Sequence, residues 1–358
     1  CCIPSVFPVI LKTQGRKMAF PKVGINEMTS KITHIYKQLH PWKSKFDCAS
    51  FLCQQMVHAE DGVFAINKPY GMGLKTVTEE MISKKKEKKS VDLLHAGGAG
   101  STYSLEDVLP IIREQLGKPN LVAVKCAEKY NSGVTVFADN KKAVDRIKQS
   151  LLRAKPKKIL NSKFYIVSPF TPYEGHKNLH EESVGITLQR NAMHKHAQPV
   201  LLRDFSTNSV KRQEVSLARV AFNVKSISPD GESLVEVSMA ETKNNLLRVY
   251  CADMLMPILG DHLYSSRVGV VQGLATRLNP LHVESGSVAQ KIPEKTRKLL
   301  QLIRPEDSNI VPLHAHLYSL VLPDFYGRDK ELTISAPFPE MFKWTCNQLN
   351  LICPQNGH

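Results

Sequence analysis

The chain has 358 residues, of which 42% are hydrophobic and 23% charged, which is enough to bury one large core or two small ones. This composition excludes a disordered chain, a collagen-like repeat and a small disulfide-rich protein. Lysine and arginine outnumber aspartate and glutamate by 48 to 33, a formal net charge of +15. Such an excess favours a polyanionic partner, nucleic acid above all, with solubility as the alternative explanation. No apolar run reaches the length of ~18 residues that a membrane-spanning helix needs.

The N-terminal part is basic and apolar, and its first acidic residue is Glu27. A segment of this kind resembles the remains of a mitochondrial transit peptide, and a disordered leader is the alternative. We therefore predict a targeting remnant or disordered leader at 1–24 and a helical extension at 25–60. The main domain is predicted at 61–345, and a C-terminal tail at 346–358.

Periodicity predicts strands and helices mixed along the main domain. Strands are expected at 62–66, 121–124, 134–137, 163–167, 215–224, 234–239, 313–322 and 331–335. Helices are expected at 104–116, 141–153 and 244–254, with a last one from Pro339. The order lacks regular βαβ alternation, and no glycine-rich phosphate loop follows a strand. The pattern therefore predicts an α+β fold on a mixed, mainly antiparallel sheet.

Cysteine and histidine give no sign of a metal site. The eight cysteines are scattered, with no CxxC pair and no zinc-like spacing to histidine, which predicts free thiols in a reducing compartment. His314 and His316 share one face of a predicted strand, but no third ligand follows nearby, so a structural role is expected. We predict no metal site.

Five segments give the sequence its most specific signal. They are DGVFAINKPYG at 61–71, KCAEKYNSGVTVFA at 125–138, KFYIV at 163–167, SLVEVSMAETKNNLLRVYCADMLMPILGDHLY at 233–264, and LHAHLYSLVLPDFYGRDKELTISAP at 313–337. In this order they resemble the RluA-type RNA pseudouridine synthases, whose pattern runs NKPxG, HRLDxxTSG, KxY, TGRTHQIR with PILGDxxY, and LHA with AP. The resemblance spans about 61–345 and is strongest to the divergent mitochondrial mRNA pseudouridine synthase branch.

The resemblance implies a pseudouridine synthase fold with a central cleft, so that 61–345 would be the catalytic domain. It also implies an enzyme that isomerises uridine in RNA to its carbon-linked form, without a cofactor or metal. In such enzymes the target nucleotide is flipped into the cleft at the expense of base stacking. An essential aspartate of the HRLD motif acts there, a tyrosine covers the base, and an arginine of the QIR segment pairs with the aspartate.

Carried over by position, the acid is Glu128, the base-stacking tyrosine is Tyr165 and the arginine is Arg248. Leu247 then lies beside the base. Glutamate is one methylene longer than aspartate, which moves the carboxylate by roughly 1–1.5 Å, and a misplacement of that size costs about 100-fold in rate. Glu128 is therefore either a repositioned catalyst or a relic. We expect a contact between Glu128 and Arg248, direct or through one water, with Tyr165 nearby.

Basic residues near these motifs are the predicted RNA contacts, together with Leu247. They are Lys125, Lys129, Lys157, Lys158 and Lys163. The predicted partner is mitochondrial mRNA or rRNA, in the mitochondrial matrix. The alternative is a synthase-fold protein with impaired catalysis that binds RNA and joins mitoribosome-assembly proteins.

Overall fold

The computed structural model describes residues 33–75, 100–154, 156–157, 159–172, 179–190, 197–240, 242–272, 274–283 and 288–354. The predicted leader at 1–24 and Lys158 lie outside these ranges. The described residues from His34 onward belong to one compact unit. Within these ranges, no helix has both the length and the apolar character to cross a membrane.

Helices and strands are mixed along the whole described chain. The helices are α1 Lys45–Gln54, α2 Leu105–Leu116, α3 Lys141–Ala154, α4 Thr207–Lys211, α5 Leu246–Asp253, α6 Glu294–Leu299 and α7 Glu340–Gln348. The strands are β1 Met56–Glu60, β2 Val63–Lys68, β3 Val122–Lys125, β4 Ser132–Ala138, β5 Ser162–Ser168, β6 His180–Gln189, β7 Gln198–Leu202, β8 Ser216–Ile227, β9 Ser233–Met239, β10 Val268–Val271, β11 Leu274–Arg277, β12 Ala315–Gly327 and β13 Lys330–Ser335.

Eleven of the described strands form one sheet, in the order β1-β2-β4-β12-β5-β9-β8-β6-β7, with β3 paired to β4 and β13 to β12. The β4–β12 pair is parallel, and the other pairs in this sheet are antiparallel. Strands β10 and β11 form a separate antiparallel hairpin. The predicted α+β fold on a mixed, mainly antiparallel sheet is confirmed.

Local signals placed the predicted helices well. Ser104 caps α2 in a reciprocal capping box with Asp107, and Gly117 ends the helix in the left-handed conformation. Predicted helix 141–153 is α3, and Pro339 is the N-cap of α7. Strands β1, β6 and β7 and the β10–β11 hairpin were not predicted. Strands β1, β6 and β7 lie towards the edges of the sheet, where half-buried side chains leave a weak alternation.

Two apolar layers cover the two faces of the sheet, because successive side chains of a strand point to opposite faces. On β5, Phe164 and Ile166 join a core that also contains residues of α5. Tyr165 and Val167 join the second core, which contains residues of α7. This second core also takes in buried Cys346, Leu349 and Leu351, so residues beyond 345 pack against the sheet.

A glycine permits the parallel pairing at the centre of the sheet. Gly133 has a φ of +114°, and a Cβ there would lie 2.2 Å from the carbonyl oxygen of Leu317 on β12. Only glycine allows the two backbones to approach so closely. This contact fixes the start of β4, and with it the loop at 126–131 that precedes the strand.

Candidate active site

Glu128 lies on the loop between β3 and β4, and its side chain is exposed. The loop is a turn closed by the Asn131 N–H, which donates to the Glu128 carbonyl at 3.1 Å. The Asn131 side-chain amide donates to the Glu128 carboxylate at 3.5 Å, and the Ala127 N–H donates to the Thr135 hydroxyl at 3.2 Å. The loop thus presents a carboxylate on a turn that is hydrogen-bonded to β4.

Lys68 lies beneath this loop and is fully buried. Its ammonium group donates to the carbonyl oxygens of Asn131 at 2.7 Å, Met72 at 2.9 Å and Pro69 at 3.1 Å. Burial lowers the pKa of Lys68 to about 8, while the negative charges of neighbouring groups, Glu128 among them, act in the opposite direction. Lys68 therefore ties the turn after β2 to the turn that carries Glu128.

Arg248 on α5 forms a buried ion pair with Asp261. Its Nη2 and Nε donate to the two carboxylate oxygens at 2.5 and 3.2 Å, and both side chains are almost completely buried. The backbone N–H groups of Leu263 and Tyr264 also donate to Asp261 at 2.9 Å each. Burial alone would raise the pKa of Asp261, but Arg248 and these hydrogen bonds outweigh it and hold that pKa below its usual value.

The direct form of the expected contact, an ion pair between Arg248 and Glu128, is therefore not formed among the described residues. The reason lies in the backbone at Gly260, whose φ is +80° and whose Cβ would lie 2.1 Å from the Pro312 carbonyl oxygen. The turn at Gly260 places the next residue, Asp261, against α5. Glu128 still acts on Arg248 at longer range: burial lowers the pKa of Arg248, but the negative charges of Asp261 and, to a lesser degree, Glu128 raise it above its usual value.

The N-terminal end of α5 has an unusual backbone. Asn244 and Asn245 both have φ near +55°, a conformation that asparagine tolerates better than most residues. These two residues stand where the family pattern has TH, so this departure from the pattern coincides with a change of chain direction. Leu247 follows in the first turn of α5 and is buried in the same core as Tyr70.

Tyr165 lies in the second core, on the opposite face of the sheet from the side chains that contact α5. Its hydroxyl donates to Glu236 at 2.7 Å, and its ring packs edge-on against Tyr318 and Phe338. Burial, followed by the contact with Glu236, raises the pKa of Tyr165. The structure does not bring Tyr165 together with Arg248, and its base-stacking role stays a prediction.

The predicted RNA-contacting lysines fall into two groups. Lys125 and Lys129 flank Glu128: the Lys125 ammonium lies 3.5 Å from the Thr242 hydroxyl, and the Lys129 ammonium lies 5.2 Å from the Tyr130 ring centre. Lys157 and Lys163 instead form ion pairs with acidic residues, Asp324 at 2.7 Å and Glu236 at 3.6 Å. Only the first pair lies beside the candidate acid.

Comparison with known proteins adds to this geometry, although no protein-family model matches the chain. Human mitochondrial mRNA pseudouridine synthase RPUSD3 is 24% identical over 263 residues, which cover 71% of this chain and 70% of that protein. Rat mitochondrial pseudouridylate synthase RPUSD4 is 25% identical over 319 residues, covering 86% and 72%. Over most of its length the chain is therefore similar to mitochondrial pseudouridine synthases.

The fold comparison agrees with this assignment. The solved structure of human RNA pseudouridylate synthase domain containing 4 has a TM-score of 0.59 and 21% sequence identity to this chain. The match covers 87% of this chain and 98% of the human one. The fold is therefore that of a pseudouridylate synthase, as the resemblance implied.

The sequence analysis named neither Lys68 nor Asp261 as a candidate site residue. The signal was present in both cases, because each is a charged residue inside an otherwise apolar run and such residues need partners when buried. His314 and His316 use both ring nitrogens in hydrogen bonds, as expected of structural residues. The described residues contain no cluster of acidic, histidine and cysteine side chains that could hold a metal ion, and the cysteines among them are free thiols.

Proposed function

We propose that this chain is an RNA pseudouridine synthase that isomerises uridine to pseudouridine in mitochondrial RNA. The observation that carries the proposal is the position of Glu128. It is an exposed carboxylate on a turn fixed by Lys68, close enough to the buried Arg248–Asp261 pair to affect the pKa of Arg248. The named functions of the relatives support the same reaction.

The reaction breaks the bond between the ribose and a ring nitrogen and re-forms it to a ring carbon. A group that acts on the sugar or the base must reach its atom at about 3 Å. Glu128 is our candidate for this group, because it is ionisable, accessible and held on a hydrogen-bonded turn. Arg248 and Lys68 supply positive charge near it, since the negative charge of Glu128 raises the pKa of each against the effect of burial.

Arg248 acts in this proposal as a positioning residue rather than as a direct partner of the acid. Its guanidinium is held by Asp261, so α5 cannot shift relative to the turn at 260–264 without breaking a buried ion pair. The roles of Tyr165 and Leu247 at the base remain part of the proposal. The two side chains pack in different cores, so each role has to be tested separately.

The proposed partner is RNA, either mRNA or rRNA, and Lys125 and Lys129 are the proposed phosphate contacts beside Glu128. Several relatives are named as mitochondrial proteins, which supports this compartment for the chain. We further propose the matrix as the site of action, and mitoribosome-assembly proteins as partners of the RNA-bound form.

Mapping of pseudouridine in mitochondrial RNA tests this function. Cells with and without the protein are compared at single-nucleotide resolution, and the missing protein is restored as wild type or as Glu128→Ala. We expect sites that vanish without the protein, return with the wild type, and stay absent with Glu128→Ala. Unchanged pseudouridine in cells that lack the protein would contradict the proposal.

A further inference from the structure

A cavity of about 260 Å³ lies beside α5 and is rich in arginine. Val249, Ala252 and Asp253 of α5 form one wall. Arg203 reaches the cavity from the residue after β7, Arg267 from the turn before β10, and Arg277 from the end of β11. None of these residues was among the predicted site residues. The lining is unusual because three guanidinium groups meet at one small cavity.

Arg267 is the central feature of this cavity. Its side chain is 94% buried, since its relative exposure is 6%. Its two Nη atoms donate to the Pro199 carbonyl at 2.7 Å and the Gln198 side-chain oxygen at 3.3 Å, and among the described residues it makes no ion pair. A guanidinium has five N–H donors, so donors remain after these two bonds, and a buried cation without an anion is costly.

The other two arginines share a single aspartate. Arg203 contacts one Asp253 oxygen at 2.7 Å, and Arg277 contacts the other at 3.1 Å. Arg203 also pairs with Glu182 at 3.0 Å. Three arginines of the lining therefore face Asp253 and, from outside the lining, Glu182, and an anion would neutralise the remaining positive charge.

The cavity adjoins the candidate active site through one aromatic ring. The Tyr264 ring lies 5.0 Å from the guanidinium of Arg248 and 4.6 Å from that of Arg267. A group in the cavity is thus separated from the Arg248–Asp261 pair by the Tyr264 ring.

We propose that this cavity binds a backbone phosphate of the substrate RNA, from a nucleotide that flanks the target uridine. The inference rests on the proposed function for the identity of the ligand as RNA. The shared chemistry is a phosphate group, and a free nucleotide is the other source of it. Base identity plays no part in this contact, so the site would position RNA without reading its sequence.

The test measures binding of a fluorescent single-stranded uridine-rich RNA to the full chain, by anisotropy over a range of salt concentrations. We expect Arg267→Gln and Arg277→Gln to weaken binding and to reduce the log–log salt slope by about 0.7 each, the value for one phosphate contact on a single strand. Asp253→Asn releases two arginines from their carboxylate, so we expect tighter binding and a steeper slope.

Matched controls remove the same charges elsewhere. Arg328 and Asp329 form an exposed ion pair outside the cavity. Arg328→Gln and Asp329→Asn should leave the slope unchanged. Circular dichroism checks that each variant is folded. If Arg267→Gln unfolds, the test uses Arg277→Gln and Asp253→Asn, because both alter side chains at the rim of the cavity.

Two results would overturn the proposal. One is a salt slope that the cavity variants leave unchanged. The other is a combination of two observations. Uridine monophosphate or inorganic phosphate stabilises the wild type but not Arg277→Gln, and the cavity variants bind RNA as the wild type does. This combination would assign the cavity to a free nucleotide. Failure of the proposed function is seen separately, because Glu128→Ala would then leave pseudouridine levels unchanged whatever the RNA-binding slopes show.

Discussion

Arg248 and Asp261 hold each other through two hydrogen bonds of 2.5 and 3.2 Å, and both side chains are almost completely buried. The pair joins the helix that carries Leu247 to the turn that carries Tyr264. Glu128 lies outside this pair and is exposed. In the proposed function the buried pair positions α5 and the exposed acid acts on the nucleotide.

Removal of one partner of this pair should destabilise the fold strongly. Asp261→Asn leaves the Arg248 guanidinium buried without a counter-charge, and we expect a loss of about 3–5 kcal/mol in the free energy of unfolding. Urea denaturation measures it. Glu340→Gln, which breaks the exposed Lys343–Glu340 pair, is the control and should cost less than about 1 kcal/mol. Equal losses in the two variants would contradict the structural role of the buried pair.

The close approach at Gly133 gives a second stability prediction. Gly117 and Gly133 both have positive φ, but an added methyl group would meet backbone atoms of another strand within 4 Å at Gly133 and nothing within 4 Å at Gly117. Gly117→Ala should cost about 1–2 kcal/mol from backbone strain alone. Gly133→Ala adds the clash with Leu317, so we expect a loss larger by at least about 2 kcal/mol in thermal or urea unfolding. Similar losses would show that β4 and β12 can separate without penalty.

Acidification should weaken the fold through its buried histidines. Burial lowers the pKa of His316 to about 4 from an ordinary value of 6.5. Between these values the unfolded chain binds the proton and the folded chain does not, so stability falls as the pH falls from 6.5 to 4. His316→Asn should remove about 3 kcal/mol of this loss, at roughly 1.4 kcal/mol per pKa unit. Urea denaturation at several pH values measures it, with exposed His282→Asn as the control that should change nothing.

The lysines beside Glu128 should matter more for RNA than those in ion pairs. Lys129→Gln is expected to weaken binding and to lower the salt slope by about 0.7, because this ammonium group lies beside the acid. Lys157→Gln removes the same charge from a lysine already paired with Asp324, so its effect should be smaller. Anisotropy measurements of one RNA with both variants test this difference. A larger effect of Lys157→Gln would show that the RNA does not bind beside Glu128.

Much of the fold followed from local signals in the sequence. The capping box at Ser104 and the alternation in β5 and β9 placed helices and strands within a few residues. Strands β1, β6 and β7 were not predicted, because their side chains are half buried and the alternation of apolar residues is weak. These strands form through pairing with their neighbours in the sheet. The order of five motifs led to the family, which no single motif could have done.

The contacts of the site were harder to predict than its residues. The family resemblance implied that Arg248 pairs with Glu128, but the backbone turn at Gly260 places Asp261 against that arginine. Tyr165 matched its motif by position, yet strand alternation and packing decide which face it occupies. The arginine cavity is lined by three separate segments between residues 200 and 280, and no local pattern predicts that they meet.

Glu128 performs the reaction in the proposed function, and a turnover assay with purified protein is the sharpest test of that role. Wild type, Glu128→Asp, Glu128→Gln and Glu128→Ala are each incubated with uridine-containing mitochondrial RNA, and pseudouridine is counted by mass spectrometry. Binding of the same RNA is measured in parallel. We expect turnover in the wild type, equal or higher turnover in Glu128→Asp, and none in the other two, with RNA binding nearly unchanged throughout. Pseudouridine formation by Glu128→Ala at the wild-type rate would rule out Glu128 as the acting group.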